Sequence, residues 1–265
     1  MKNTLLCFAA SSVLLSLAVL GCGNKQATTE TAAPPSSMNQ ATVDAATAGS
    51  ISGTVQLDGT APKMKTINMA AEPACAKQHS APVTSQDVLV GKDNALENVV
   101  VYLKGDFSHY KFDAPQGPAT ITQKGCMYDP HVVVLETGQS LQVVNADPVT
   151  HNIHPLPKDN REWNESQPPG APPINQSFPH EEIAIPVKCN IHPWMKAYIA
   201  VFDHPYFAVT GKDGSFDLKN VPPGTYTLIA WHELYGTSEQ PVTIGAKESK
   251  TIHIAMRAAS AAHGS

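Results

Sequence analysis

Charge is scarce in this 265-residue chain: only 15% of residues are Asp, Glu, Lys or Arg, and no basic run breaks a formal net charge of −5. A mildly acidic chain without Lys/Arg clusters lacks the electrostatic footprint of a nucleic-acid binder, so no nucleic-acid partner is expected. Sustained helical periodicity is missing too, since no window repeats apolar residues at i, i+3, i+4 and i+7, and this excludes a helical bundle. The apolar stretch Leu5 to Leu20 is too short to span a bilayer securely. Cysteine occurs only five times, too few for a disulfide-dense scaffold. What fills the chain instead is 42% hydrophobic residues cut into short runs by 22 Pro and 17 Gly. That is the composition of an all-β exported domain.

Met1-Lys2 ahead of Leu5 to Leu20 reads as the start of a secretory leader over residues 1–21. Val19-Leu20-Gly21-Cys22 resembles a bacterial lipobox, and the resemblance implies that Cys22 carries lipid after cleavage. Two or three acyl chains anchor a protein lastingly where one does not. Gly23, in place of an Asp after Cys22, resembles lipoproteins passed on to the outer membrane. The expected location is therefore the periplasm or cell surface, lipid-anchored, with the outer membrane favoured. Losing the leader removes Lys2, which takes the net charge from −5 to −6. Residues 22–49 are Ala, Thr, Ser, Pro, Gln and Asn without apolar period, so they read as an unfolded tether with a reach on the order of 30 Å. Residues 257–265 read as a loose tail.

Between them, residues 50–256 read as short strands separated by turn residues. The clearest runs are Ile51 to Leu57, Asn98 to Leu103, Ala119 to Gln123, His131 to Leu135, Ser140 to Val144, Glu182 to Val187, Ala197 to Phe202, Thr225 to Trp231 and Thr251 to Met256.

The stretch with the most chemistry is Cys189-Asn190-Ile191-His192-Pro193-Trp194-Met195. A thiolate, an imidazole and a thioether at this spacing form a soft, mixed donor set that suits copper better than zinc, calcium or magnesium. A trigonal copper site needs a second imidazole from a distant segment, and His151-Asn152-Ile153-His154 supplies it. Together these motifs resemble the small blue copper proteins, the cupredoxins, and within them the amicyanin type, from about Thr120 to Asp203. By that likeness His151, Cys189 and His192 are the equatorial ligands of one type 1 copper and Met195 is the weak axial one. The likeness puts Asn152 behind the ligand loop as a brace, although a turn role fits it equally. Pro193 restricts the loop and removes an amide that could bond the sulfur. His192 is expected to be the most exposed ligand, with its edge emerging beside Pro193 and Trp194. His151 is expected at the end of the strand after Asn145.

A second resemblance is split in sequence. Ile51-Ser52-Gly53-Thr54-Val55 and Asn98-Val99-Val100-Val101-Tyr102-Leu103 resemble the opening strands of carboxypeptidase-regulatory-like domains, which are transthyretin-like β-sandwiches. The continuation appears only at Thr210-Gly211-Lys212-Asp213-Gly214-Ser215-Phe216 and Val221-Pro222-Pro223-Gly224-Thr225-Tyr226-Thr227-Leu228. The expected fold class is an all-β chain in which a Greek-key cupredoxin barrel is inserted in, or followed by, a small transthyretin-like sandwich. The expected boundaries are 50–104 and 205–256 for the two parts of the sandwich and 105–204 for the barrel. An insert whose ends lie close together costs little closure entropy.

Cysteine arithmetic leaves Cys75 and Cys126 once Cys7, Cys22 and Cys189 are assigned, and in an oxidising compartment a disulfide is the economical reading. A second Cys2His2 metal site from Cys75, His79, Cys126 and His131 is the rival. Of the other histidines, His154 reads as surface or as backing for the ligands; His109, His180, His204 and His253 read as solvated, and His131 and His232 as buried and hydrogen-bonded. Trp163 and Gln167 to Pro173 read as a long loop.

The function these readings imply is single-electron transfer, without enzymatic activity, to or from a c-type cytochrome or a periplasmic oxidoreductase. The alternative is a copper carrier, storage or delivery lipoprotein.

Overall fold

The computed structural model describes residues 40–257. The expected leader, Cys22 with its lipid, residues 22–39 of the tether and residues 258–265 of the tail lie outside the described residues.

Among the described residues the regular secondary structure is almost wholly strand. A first group of strands makes a two-sheet sandwich. In one sheet β1 (Gly49–Leu57) lies between β13 (Ser215–Val221), antiparallel to it, and β16 (Ser249–Met256), parallel to it. In the other, β2 (Val100–Lys104) lies between β12 (Phe207–Val209) and β14 (Gly224–His232), and β14 also pairs with β15 (Gly236–Ile244). Ile51, Val55, Val101, Leu103, Phe216, Leu218, Leu228 and Ile254 interleave between the two sheets.

The strands between β2 and β12 in sequence form a barrel-like pair of sheets. One holds β5 (Val132–Glu136), β11 (Lys196–Phe202), β10 (Glu182–Lys188), β7 (His151–Pro155) and β8 (Glu165–Gln167), in that order. The other holds β4 (Met127–Asp129), β3 (Ala119–Lys124), β6 (Leu141–Asn145) and β9 (Ile174–Gln176). Ile121, Tyr128, Leu135, Val143, Ile153, Val187 and Ile199 fill the barrel.

A third cluster explains the runs of consecutive apolar residues in β2 and β11. Val100, Val132, Ala200 and Phe202 are buried between the outer faces of sandwich and barrel, flanked by Tyr102, Tyr198, Phe207 and Trp231. Strands covered on both faces do not alternate, because neither face meets water.

Three expected boundaries need correction. Residues 40–49 are not free tether: Ala41 N donates to His109 O at 2.9 Å, Lys111 N donates back to Ala41 O, and an Asp44 turn leads into β1. The barrel is narrower than 105–204, because Phe107 is buried in the sandwich core and Tyr110 and Phe112 pack against it. Residues 50–104 do not all belong to the sandwich. After Thr66, which bridges Thr84, the chain leaves it and lays Ile67, Met69, Cys75 and Val83 on the barrel core. Its single helical turn, α1 (Pro73–Ala76), carries Cys75. The expected long loop around Trp163 and Gln167 to Pro173 is broken by β8 and β9, and Trp163 packs on the barrel core.

Candidate metal centre

His151, Cys189 and His192 meet at one end of the barrel, brought there by β7, by the end of β10 and by the short loop into β11. His151 opens β7 rather than ending the strand after Asn145, because residues 146–150 form the intervening turn. Asn145 builds that turn: its Nδ2 donates to Val149 O and Gln167 O, and its Oδ1 accepts from Asp147 N.

His151 Nδ1 lies 2.9 Å from His192 Nδ1, and Cys189 Sγ lies 3.8 Å from the same His192 nitrogen. All three side chains are buried, at 0%, 3% and 1% exposure for His151, Cys189 and His192. Met195, also fully buried, closes the loop: its N–H donates to His192 O, and its carbonyl accepts from Cys189 N.

The supporting contacts fix the rings. Asp147 Oδ2 lies 2.8 Å from His151 Nε2, so the distal nitrogen donates to the carboxylate and Nδ1 faces inward. Asp147 also accepts N–H bonds from Gly125 (2.6 Å) and Cys126 (2.7 Å) in the β3–β4 turn, where both residues have positive φ. Asn152 Oδ1 accepts from Asn190 N at 2.7 Å and lies 3.3 Å from Cys189 Sγ, tying β7 to the ligand loop. His192 N donates to Cys189 Sγ at 3.4 Å; Pro193, next along, has no amide to give. Beneath the site Tyr128 Oη donates to Asn152 O at 2.6 Å and lies 3.1 Å from Lys188 O. Sequence reasoning missed Asp147 and Tyr128. The signal for Asp147 was its place four residues before His151 in an Asx-Pro turn; Tyr128 gave none.

Electrostatics follow this geometry. Burial opposes ionisation of the Cys189 thiol, but hydrogen bonds from His151 and from nearby backbone outweigh it and hold the thiol below its ordinary range. Burial likewise opposes charge on Asp147 and His151. Their mutual hydrogen bond, with the two amides on Asp147, prevails, lowering the carboxyl and raising the imidazole. His192 is lowered by burial and then by its neighbour His151.

The expectation of an exposed His192 edge is overturned. Cys75 and Cys126 form a disulfide, and Cys75 Sγ sits 3.7 Å from His192 Nε2. The 66–84 excursion therefore covers the ring. Asn190, Ile191 (45% exposed) and Pro193 are what the loop shows to solvent. No Cys2His2 site forms: His79 Nε2 bonds Gly125 O, while His131 Nε2 pairs with Glu233 at 2.5 Å. His154 is half-buried between Asn190 and Glu162, and His232 is buried. His109, His180 and His253 are exposed, but His204, expected in solvent, is 3% exposed among Phe107, Phe202 and Tyr206.

The carboxypeptidase regulatory-like domain model matches residues 192–257. That span runs from the metal-site loop through β12 to β16 and lacks the first two strands of the sandwich. No curated protein matches the sequence. Among solved structures, a copper-containing nitrite reductase from Thermus scotoductus SA-01 is similar at 20% identity over 36% of this chain, with a TM-score of 0.31; the match takes in 24% of the reductase chain. A purple cupredoxin from Nitrosopumilus maritimus is similar at 20% identity over 31% of this chain and 98% of its own, with a TM-score of 0.27. A Cu(I) variant of amicyanin is similar at 15% identity over 34% and 86%, with a TM-score of 0.29.

Proposed function

We propose that this chain is a type 1 copper protein that carries single electrons, works outside the cytoplasm on a lipid tether at Cys22, and is not an enzyme. One observation carries the reading: two imidazole Nδ1 atoms and a thiol whose ionisation is favoured converge in a buried pocket, 2.9 Å and 3.8 Å apart. Donors of this kind fit copper. His151, His192 and Cys189 would hold the ion through two ring nitrogens and a thiolate, and Met195, buried at the end of the same loop, would add a thioether, a soft mixed donor set that copper favours. Bound there, copper supplies a one-electron couple. The chain does the rest: Asp147 holds His151 in one tautomer, Asn152 and the His192 amide hold the Cys189 loop, and burial keeps water out. A site so enclosed opposes the carrier or storage alternative, which needs a labile, open metal.

The partner is a c-type cytochrome or a periplasmic oxidoreductase. Ile191 and Pro193 give it an apolar contact without charge pairs, as brief docking requires. Copper-loaded protein is expected to show an intense visible band from sulfur-to-copper charge transfer, and Cys189→Ser is expected to abolish it. Oxidised, copper-supplied protein that stays colourless would overturn the reading. In stopped-flow mixing, reduction by the cytochrome should outpace reduction by a small chemical reductant.

A further inference from the structure

His192 has two faces, and only one is used above. Its Nδ1 looks toward His151 and Cys189; its Nε2 looks at Cys75 Sγ, 3.7 Å away. Cys75, Cys126 and His192 bring donor atoms within 4.8 Å of one another, and all three residues are buried. A single imidazole thus separates the inner donors from a sulfur pair. In the structure those sulfurs are joined and can offer no thiolate.

The inner donors are all buried: His151, Cys189, His192 and Met195 are 3% exposed or less. At the Nε2 face the covering layer is thin. It is one four-residue turn, α1, whose Ala74 and Ala76 are exposed. Beyond the bridge it is fastened to the β3–β4 turn by His79 Nε2 to Gly125 O and by Gln78 Nε2 to Cys126 Sγ. This wall therefore contains two sulfurs and a ring nitrogen, the donor types that select Cu(I).

We propose that in the dithiol state Cys75, Cys126 and His192 Nε2 form a second soft-metal site, and that it is the port through which copper reaches His151, Cys189 and Met195. The proposal rests on the copper reading above. On binding, each thiol loses a proton to solvent and becomes a thiolate. Once the ion has passed inward, thiol–disulfide exchange with a disulfide oxidant shuts the port. The Cys75–Cys126 bond forms, the oxidant's S–S bond breaks, and two electrons and two protons leave with it as two thiols. An exported chain begins with its thiols free and loses them to oxidation, so loading precedes closure.

The experiment uses Cys189→Ser protein, whose inner set is disabled, and titrates it anaerobically with Cu(I) against a coloured chelator. With the pair reduced, one tightly held Cu(I) per chain is expected. With the pair oxidised, affinity should fall by about 100-fold or more, since two of three donors are gone. Adding Cys75→Ser, which removes one of the three donors, should weaken Cu(I) binding by the reduced form. Wild-type apoprotein gives a second reading that needs no variant to fold: its reduced form should take up copper faster than its oxidised form. Equal affinity and equal uptake in the two states would overturn the port. A wild type that holds no copper in either state would instead overturn the function on which the port rests.

Discussion

Asp147 shows how much one carboxylate can organise. It receives two backbone amides from the turn that carries Cys126 and also orients His151. Asp147→Asn leaves a single acceptor and sets an amide group against one of those N–H donors. Copper affinity is expected to fall about 10- to 100-fold, and stability by about 1–3 kcal/mol; chelator competition and urea unfolding check the two effects. His232 provides a separate pH signature. It is buried beside His131, stacked on Tyr235, and its Nδ1 accepts from Leu234 N. Burial, with His131 next to it, pushes its pKa down to about 4. The unfolded chain, with an ordinary imidazole near 6.5, binds that proton first. Stability should therefore be level above pH of about 6.5 and fall by about 3 kcal/mol toward pH of about 4. His232→Phe should flatten that slope in denaturant titrations run across the range. The residues a sequence reader finds are those with a chemical identity at a fixed spacing, such as Cys189, His192 and Met195. Those left unread, Asp147 and Tyr128, act only through where the fold puts them.

At the scale of elements, the strands that could be read were the ones covered on a face: their apolar residues either alternate or run on. β4, β8, β9 and β12, each three residues long, leave too little pattern to see. β15, on a sheet edge, carries Pro241 and mostly exposed side chains, as an edge strand can. The 66–84 excursion was unreadable for another reason. Ile67, Met69 and Cys75 carry no period of their own, and only the barrel wall they meet gives them a place. That wall also explains why the exposure of His192 was misjudged: spacing gives a ligand's identity but not what lies over it. The bridge between excursion and barrel closes a 51-residue separation. Its loss in Cys75→Ala/Cys126→Ala protein is expected to cost about 4 kcal/mol on the chain-entropy account. Unfolding by guanidinium chloride, with and without the pair, measures it.

The molecule as a whole is one sandwich opened between β2 and β12 to admit a barrel, with a buried seam where their sheets meet. The two likenesses in the sequence pointed to both parts. The seam was hidden, because Val100 and Phe202 look like any core residues until both partners are in place. Asp113 and Asp203 line the same hollow at the mouth of the insert, so its ends lie near each other. Replacing residues 114–202 by a short Gly-containing turn should leave a folded, less stable sandwich that binds no copper. Dispersed amide resonances with one cooperative thermal transition would support this. A collapsed spectrum would show instead that the seam is indispensable.

The pairing of β1 bears on how such a chain is made. Thr54 and His253, side by side in the sheet, are 199 residues apart. A polypeptide made N-terminus first must keep β1 waiting with both long edges open until β13 is made, and with one edge open until β16 follows. The barrel, whose strands β3 to β11 all precede β12, can fold during that wait. A translation product halted after Phe202 would already hold His151, Cys189, His192 and Met195, yet β1 and β2 would both lack every partner strand, the kind of fragment that chaperones and proteases would be first to meet.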